Sequence, residues 1–257
     1  MKKFLLLFLF FICASSIAQE KLVDLPIDTR PDDVAPVLQK ISSPTAVNLI
    51  LIPGGNAGTG EIANGIPTSR NFLVRSREDF QNAGFNTFIL FRAKSVAPGP
   101  MSTTYRIRAE HIDEIKSLIN YISKNTSGPI WLVGTSMGTI SATSAAINID
   151  NPKIKGLVLT ASVTQTAPGN LPSQRLENIK LPVLMIHHES DQCSVCVPSE
   201  AKANFPRFKN SIAKDFVMVS GGGPGSGDPC QNQHLHGFIG VESKVTKEVS
   251  DWIKKNS

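Results

Sequence analysis

The sequence predicts an α/β fold built on one mainly parallel, twisted sheet with helices on both faces. Two observations predict it. Short apolar runs alternate with stretches of helical spacing, the order expected of βαβ units. The runs are near-continuously apolar and do not alternate in and out, so both faces of the sheet are covered. A length of 257 residues suits one α/β domain, and 41% hydrophobic with 18% charged residues supplies a sizeable core.

The elements follow in order. Val47-Asn48-Leu49-Ile50-Leu51-Ile52 is a buried strand ended by Pro53-Gly54-Gly55. Residues 70–82 read as a helix stopped by Gly84, and residues 87–91 as a second strand. The next segment carries apolar side chains at Ile107, Ile112, Ile115, Leu118, Ile119 and Ile122, which predicts a helix over 105–124. Residues 130–133 form the third strand, and a helix rich in Ala, Ser and Thr covers 137–149. Strands over 154–160 and 183–187 follow, then a helix over 199–208, a sixth strand over 216–219 and an amphipathic helix over 241–254. Residues 161–180 carry no clear element. That stretch is too short for a large cap, so the active site is expected to be open.

The first residues read differently. Lys2 and Lys3 precede the apolar run Phe4 to Ile12, and Cys13-Ala14-Ser15-Ser16-Ile17-Ala18 follows. This is the order of a secretory signal peptide, with cleavage expected after Ala18 and the domain over residues 19–257. The apolar run is shorter than the about 20 residues a bilayer span needs. Phe10-Phe11-Ile12 also lacks the small residue that precedes a lipidated cysteine. The expectation is a periplasmic or secreted protein with no stable membrane insertion once the leader is removed. Without Lys2 and Lys3, 24 basic side chains face 21 acidic ones, a net +3 in place of +5. The basic residues are scattered, so nucleic-acid binding is not expected. Cys193, Cys196 and Cys230 remain, an odd number that implies one disulfide and one free thiol, or pairing to another chain.

Gly134-Thr135-Ser136-Met137-Gly138 carries the chemistry. The motif Gly-x-Ser-x-Gly lies between a predicted strand and a predicted helix, where a serine hydroxyl projects beyond the sheet edge. The flanking glycines allow close backbone passage. The helix start aims unpaired N–H groups at a developing oxyanion, and the Met137 N–H is a natural donor. Two glycine-rich runs, Gly54 to Gly60 and Gly221 to Gly227, lack the Gly-Lys-Ser/Thr ending of a phosphate loop.

With this motif, Asp191 after the fifth strand and His236 ahead of the last helix, the chain resembles the α/β-hydrolase superfamily over about residues 45–257. Asn71-Phe72-Leu73-Val74-Arg75-Ser76-Arg77 and His236-Gly237-Phe238 resemble a group of small exported bacterial serine hydrolases with a minimal cap. The resemblance implies Ser136 as nucleophile, Asp191 as the acid with Glu189 as alternate, and His236 as the base with His234 as alternate. It implies a second oxyanion donor after the first strand, at Gly55 or Asn56. His187 and His188 are expected to pack near the acid loop or orient it, and His111 to pack or face water. Acid and base loops converge in this fold, so a Cys193–Cys230 disulfide would tether them.

The leading function is hydrolysis of a small-molecule carboxylic ester, or a related amide or thioester, through an acyl-enzyme, with no cofactor. Two other classes stand beside it. One is a non-catalytic exported binding protein on the same scaffold. The other is a thiol redox protein using Cys193-Ser194-Val195-Cys196, which lacks the usual thioredoxin-like setting. A zinc site from Cys193, Cys196, Cys230 and His234 would have suitable ligand types but no second cysteine pair. Arg70, Arg75 and Arg92 are expected to be solvated edge residues before they are anion ligands.

Overall fold

The computed structural model describes residues 19–97, 99, 101–165 and 168–257. The leader expected over residues 1–18, with Cys13, lies outside the described residues. The six apolar runs become six adjacent parallel strands: β3 (Asn48–Ile52), β6 (Asn86–Leu90), β7 (Ile130–Thr135), β8 (Ile154–Thr160), β9 (Val183–His188) and β10 (Lys214–Val219). Their order is β6-β3-β7-β8-β9-β10. Two strands not predicted from the sequence complete the sheet at the β6 edge. β1 (Lys21–Ile27) and β2 (Arg30–Lys40) pair as an antiparallel hairpin, and β2 runs antiparallel to β6. Pro26, Pro31 and Pro36 and the acidic pair Asp32-Asp33 mask them as strands; Pro26 lies on the edge strand β1, where proline is tolerated, while Pro31 and Pro36 lie on β2, between β1 and β6. A small hairpin, β4 (Ile62–Ala63) with β5 (Ile66–Pro67), stands in the loop after β3.

The helices are α1 (Phe72–Arg75), α2 (Arg77–Asn82), α3 (Ala109–Asn125), α4 (Gly138–Asn148), α5 (Pro198–Asn204) and α6 (Glu242–Asn256). The helix expected over 70–82 is two short helices. Asn71 caps α1 by accepting the Leu73 N–H at 3.1 Å, and Ser76 breaks the run at φ −99° and ψ 8°. The segment expected as a helix over 105–124 opens with a 3₁₀ turn, Tyr105–Ile107. It reaches α3 only after Arg108 turns extended. Among the described residues of 161–180 there are two 3₁₀ turns, Leu171–Ser173 and Leu176–Asn178, and no α-helix.

Alternation along the strands divides the core between two faces. Ile50, Ile52, Leu132, Leu157 and Met185 pack with α3, α4 and α5; Leu49, Leu51, Val133, Val158 and Leu184 pack with α1, α2 and α6. Each such buried side chain contributes about 1.5–3 kcal/mol of hydrophobic stabilisation. Trp131 fills the second face. Its ring meets Trp252 edge-on at 5.6 Å, and its Nε1 donates to Ser257 Oγ at 2.9 Å. Gly156 on β8 makes room for that ring, because a Cβ there would lie 2.0 Å from Trp131. We therefore expect Gly156→Ala to lower stability by about 1–3 kcal/mol through overpacking. Urea unfolding should show a lower midpoint with an unchanged slope. A midpoint equal to that of the unsubstituted protein would contradict this packing.

Candidate active site

The site is built on the turn from β7 into α4. Ser136 sits there at φ +52°, a left-handed conformation that costs a non-glycine residue about 1–3 kcal/mol. Neighbouring contacts hold it. Its N–H donates to Thr160 O at 2.9 Å, and its carbonyl accepts from the Thr139 N–H at 2.9 Å and the Thr139 hydroxyl at 2.6 Å. The glycines of the motif are required by proximity. A Cβ on Gly134 would lie 2.5 Å from Gly138 O, and one on Gly138 would lie 2.0 Å from Ile52 O.

The side chains expected to act together lie together. His236 Nε2 is 2.9 Å from Ser136 Oγ, and His236 Nδ1 is 2.9 Å from Asp191 Oδ2. An ionised carboxylate only accepts, so Nδ1 carries a proton and Nε2 is free to accept the Ser136 hydroxyl. Asp191 Oδ1 accepts the Cys193 N–H at 2.9 Å, which holds the carboxylate in place. Asp191 and His236 are buried while Ser136 remains partly exposed. The alternates lie elsewhere: Glu189 is exposed, and the His234 ring packs over Gly225.

The loop after β3 runs beside this turn. A Cβ on Gly54 would lie 2.8 Å from Ser136 Cβ and 3.2 Å from the Met137 nitrogen, so the two segments touch. Gly55 has φ +57°, and the Ala57 N–H donates to Gly54 O at 3.0 Å to close the turn. Gly55 and Asn56 are exposed, and the N–H groups of Gly55, Asn56 and Met137 donate to no acceptor among the described residues.

The base loop is braced from behind by the two stretches that carried the resemblance. Phe238, at φ +61°, packs on Phe72 with ring centroids 5.0 Å apart. Arg75 donates to the Gly237 carbonyl and pairs with Glu242 at 2.9 Å. A Cβ on Gly237 would lie 2.1 Å from Asn232 O, which explains the glycine after His236. Arg92 donates to Gly99 O at 2.6 Å and Arg70 to Gln233 Oε1 at 3.2 Å, both in exposed settings. Arg75 is thus a structural brace, not a solvated edge residue.

Sulfur joins the acid loop to the base loop. Cys193 and Cys230 form a disulfide with their Cα atoms 4.5 Å apart, across a sequence separation of 37. Cys196 is a free, buried thiol whose pKa burial pushes up. Ligand atoms of Cys193, Cys196 and His236 lie within 4.8 Å of one another. The disulfide occupies two of the sulfurs a zinc site would use, and Ser136 and Asp191 occupy both nitrogens of His236. The same bond takes Cys193 away from a Cys193–Cys196 redox pair.

Of the two neighbouring histidines, His188 bonds to the acid loop and His187 packs beneath it. His188 donates from Nε2 to Gly221 O at 2.8 Å and accepts the Ser190 N–H on Nδ1 at 3.1 Å. His187 is fully buried, stacks on Phe216 and accepts the Ser162 N–H on Nε2 at 2.9 Å. A cavity of about 380 Å³ bounded by Ile107, Ile147, Gly169 and Arg175 flanks α4 and contains none of Ser136, Asp191 and His236. The Ser136, His236 and Asp191 side chains therefore meet away from that cavity.

Two outcomes follow from this geometry. Burial lowers the His187 pKa from 6.5 to about 3, with Asp191 opposing and His236 adding to the shift. The folded protein keeps this ring neutral where the unfolded chain protonates it, so stability falls as pH drops from 6.5 toward 3. Denaturant titration should show His187→Gln losing up to about 1.4 kcal/mol less per pH unit over that window. Equal slopes would contradict a neutral buried His187. Residues 19–257, denatured without reductant, should present one titratable thiol, and three after reduction. Reduction should remove about 3–4 kcal/mol of stability by the chain-entropy estimate.

No protein-family model matches the chain, and no curated protein matches it. Solved structures do. Est1E from Butyrivibrio proteoclasticus superimposes with a TM-score of 0.60 at 16% identity, covering 92% of this chain and 98% of its own. The Pyrococcus furiosus esterase Pf2001 gives a TM-score of 0.66 at 12% identity over 93% of this chain and 91% of its own. XC6422 from Xanthomonas campestris, described as an α/β serine hydrolase without a lid, gives 0.61 at 12% identity over 93% and 95%. At these identities the likeness speaks for architecture, and the architecture of this chain is the α/β-hydrolase fold without a large cap.

Proposed function

We propose that the protein is an exported serine hydrolase that cleaves a carboxylic ester, or a related acyl compound, through an acyl-enzyme. The observation that carries this reading is the hydrogen-bonded line Ser136–His236–Asp191, 2.9 Å at each link, standing on a strained strand-to-helix turn. Esterases and serine hydrolases among the structural neighbours support it by analogy of fold.

In this mechanism Ser136 Oγ attacks the carbonyl carbon while His236 Nε2 takes its proton. Asp191 holds the imidazole and stabilises its positive charge. The oxyanion is met by the Met137 N–H at the start of α4 and by the Gly55 or Asn56 N–H of the facing loop. His236 then passes its proton to the departing alkoxide, which leaves as the alcohol. A water attacks the acyl-enzyme and gives its proton to His236. The tetrahedral intermediate collapses, the acid departs, and the proton returns to Ser136. No cofactor enters. The disulfide supports export, because such bonds persist in oxidising compartments.

The test is a fluorophosphonate probe on residues 19–257, with the adduct located by peptide mass spectrometry. The adduct should form on Ser136 and be lost in Ser136→Ala and His236→Ala. Asp191→Asn should lower kcat on p-nitrophenyl acetate by about 10⁴-fold. A folded protein that takes up no probe would remove the catalytic reading in favour of a binding scaffold.

A further inference from the structure

A chain of buried polar side chains runs beneath the loop after β3, and the proposed chemistry does not use it. Arg106 lies fully buried on the 3₁₀ turn before α3. Its Nη2 donates to the Gly55 carbonyl at 3.1 Å, and its Nη1 donates to Ser141 Oγ on α4 at 3.0 Å. Ser141 Oγ is 2.9 Å from His111 Nε2, and His111 Nδ1 is 2.7 Å from Glu114 Oε2. Glu114 Oε1 accepts from Arg30 Nη2 at 3.0 Å and from the Tyr105 hydroxyl.

The two ends of this chain set its proton positions. A guanidinium only donates and a carboxylate only accepts. His111 therefore carries its proton on Nδ1, and its Nε2 takes the Ser141 hydroxyl proton. Ser141 Oγ is left to accept from Arg106. Burial lowers the His111 pKa, which favours this neutral ring. Every bond from Arg106 to Glu114 runs in one direction.

Fold stability alone is a poor explanation for the arrangement. The Arg106 Nε finds no partner among the described residues, and a buried unpaired donor is destabilising. Glu114 already has Arg30 as its counter-charge at 3.0 Å. What Arg106 does hold is the Gly55–Asn56 peptide. Gly55 has φ +57° and no side chain to restrain it, so this peptide plane would otherwise swing freely. Carbonyl and N–H point opposite ways across a planar trans peptide, so holding one aims the other.

We propose that Arg106 is a positioning residue for the oxyanion loop. Its planar fork ties the Gly55 carbonyl to Ser141 on the same helix that begins beside Met137, and so holds the Asn56 N–H in register with the Met137 N–H. The inference rests on the hydrolase reading. A donor misplaced from the developing oxyanion loses most of its effect, because these bonds act over a narrow distance range.

The experiment compares the unsubstituted protein, Arg106→Met and Arg106→Lys on p-nitrophenyl acetate and on the matching thionoester. Sulfur is a weaker acceptor than oxygen, so oxyanion donors help the thionoester less. Arg106→Met should stay folded by thermal unfolding. Its kcat on the oxoester should fall ~10–100-fold, the thionoester should fall less, and the oxo-to-thiono ratio should narrow. Arg106→Lys, which keeps a donor but not the fork, should fall between. If Arg106→Met does not fold, Ser141→Ala removes one anchor of the fork and should narrow the ratio in the same direction. An unchanged ratio in a folded variant overturns the positioning role, whether or not both rates drop. An unsubstituted protein inert toward both esters overturns the hydrolase reading itself.

Discussion

The closeness of three backbone segments around Ser136 constrains the rest of the molecule. β7 ends, α4 begins and the loop after β3 passes at distances that leave no room for a Cβ at Gly54, Gly134 or Gly138. That crowding pins Ser136 in a left-handed conformation its own side chain disfavours. The compensation comes from the parallel sheet, whose central strands are buried on both faces and rigid enough to hold the strain. The small residues of α4 belong to the same constraint. Gly138, Ser141, Ala142 and Ala145 let the helix lie close on β7, which brings its N–H groups beside the serine.

The proposed acid and base sit on loops separated by 45 residues, so something other than local geometry must hold them. Three devices do. The Cys193–Cys230 disulfide joins the loops directly. His188 links the acid loop to Gly221 at the start of the glycine-rich run. Arg75 and Phe72 brace the base loop from α1. The run Gly221 to Gly227 has several residues at positive φ, so it contributes little order of its own. Tethers at both of its ends restore what its composition gives up.

Two arginines serve to position backbone near Ser136. Arg75 is spent on Gly237 and Glu242, and Arg106 on Gly55 and Ser141. Arg suits this use because its fork reaches two acceptors at once and keeps its charge when buried. Among the described residues the stretch between β8 and β9 holds 3₁₀ turns and no α-helix, which would leave the proposed acyl group little enclosing wall. Selectivity in such a site would come from short contacts near the serine.

The sequence by itself determined the six parallel strands, the helices on both faces and the strained turn at Ser136. These features are local: continuous apolar runs, helical spacing, and glycines two residues either side of a serine at a strand-to-helix junction. Resemblance to the hydrolase superfamily, with its chain order, narrowed the proposed acid and base to a few residues. Only the tertiary structure decided the rest. β1 and β2 escape the pattern because prolines and acidic residues punctuate them: Asp24 and Pro26 in β1, Pro31, Asp32, Asp33 and Pro36 in β2, read locally as turn and loop residues. The break at Ser76 is invisible to helical spacing, which continues across it. The resemblance implies Asp191, His236 and the Cys193–Cys230 pair; that Asp191 and His236, and not Glu189 and His234, join Ser136 in one hydrogen-bonded line depends on which side chains converge. So does the route from Arg106 through His111 to Glu114, whose members lie on different elements and reveal nothing by their spacing. Periodicity encodes which face of an element is buried; it does not encode which distant polar atoms meet there.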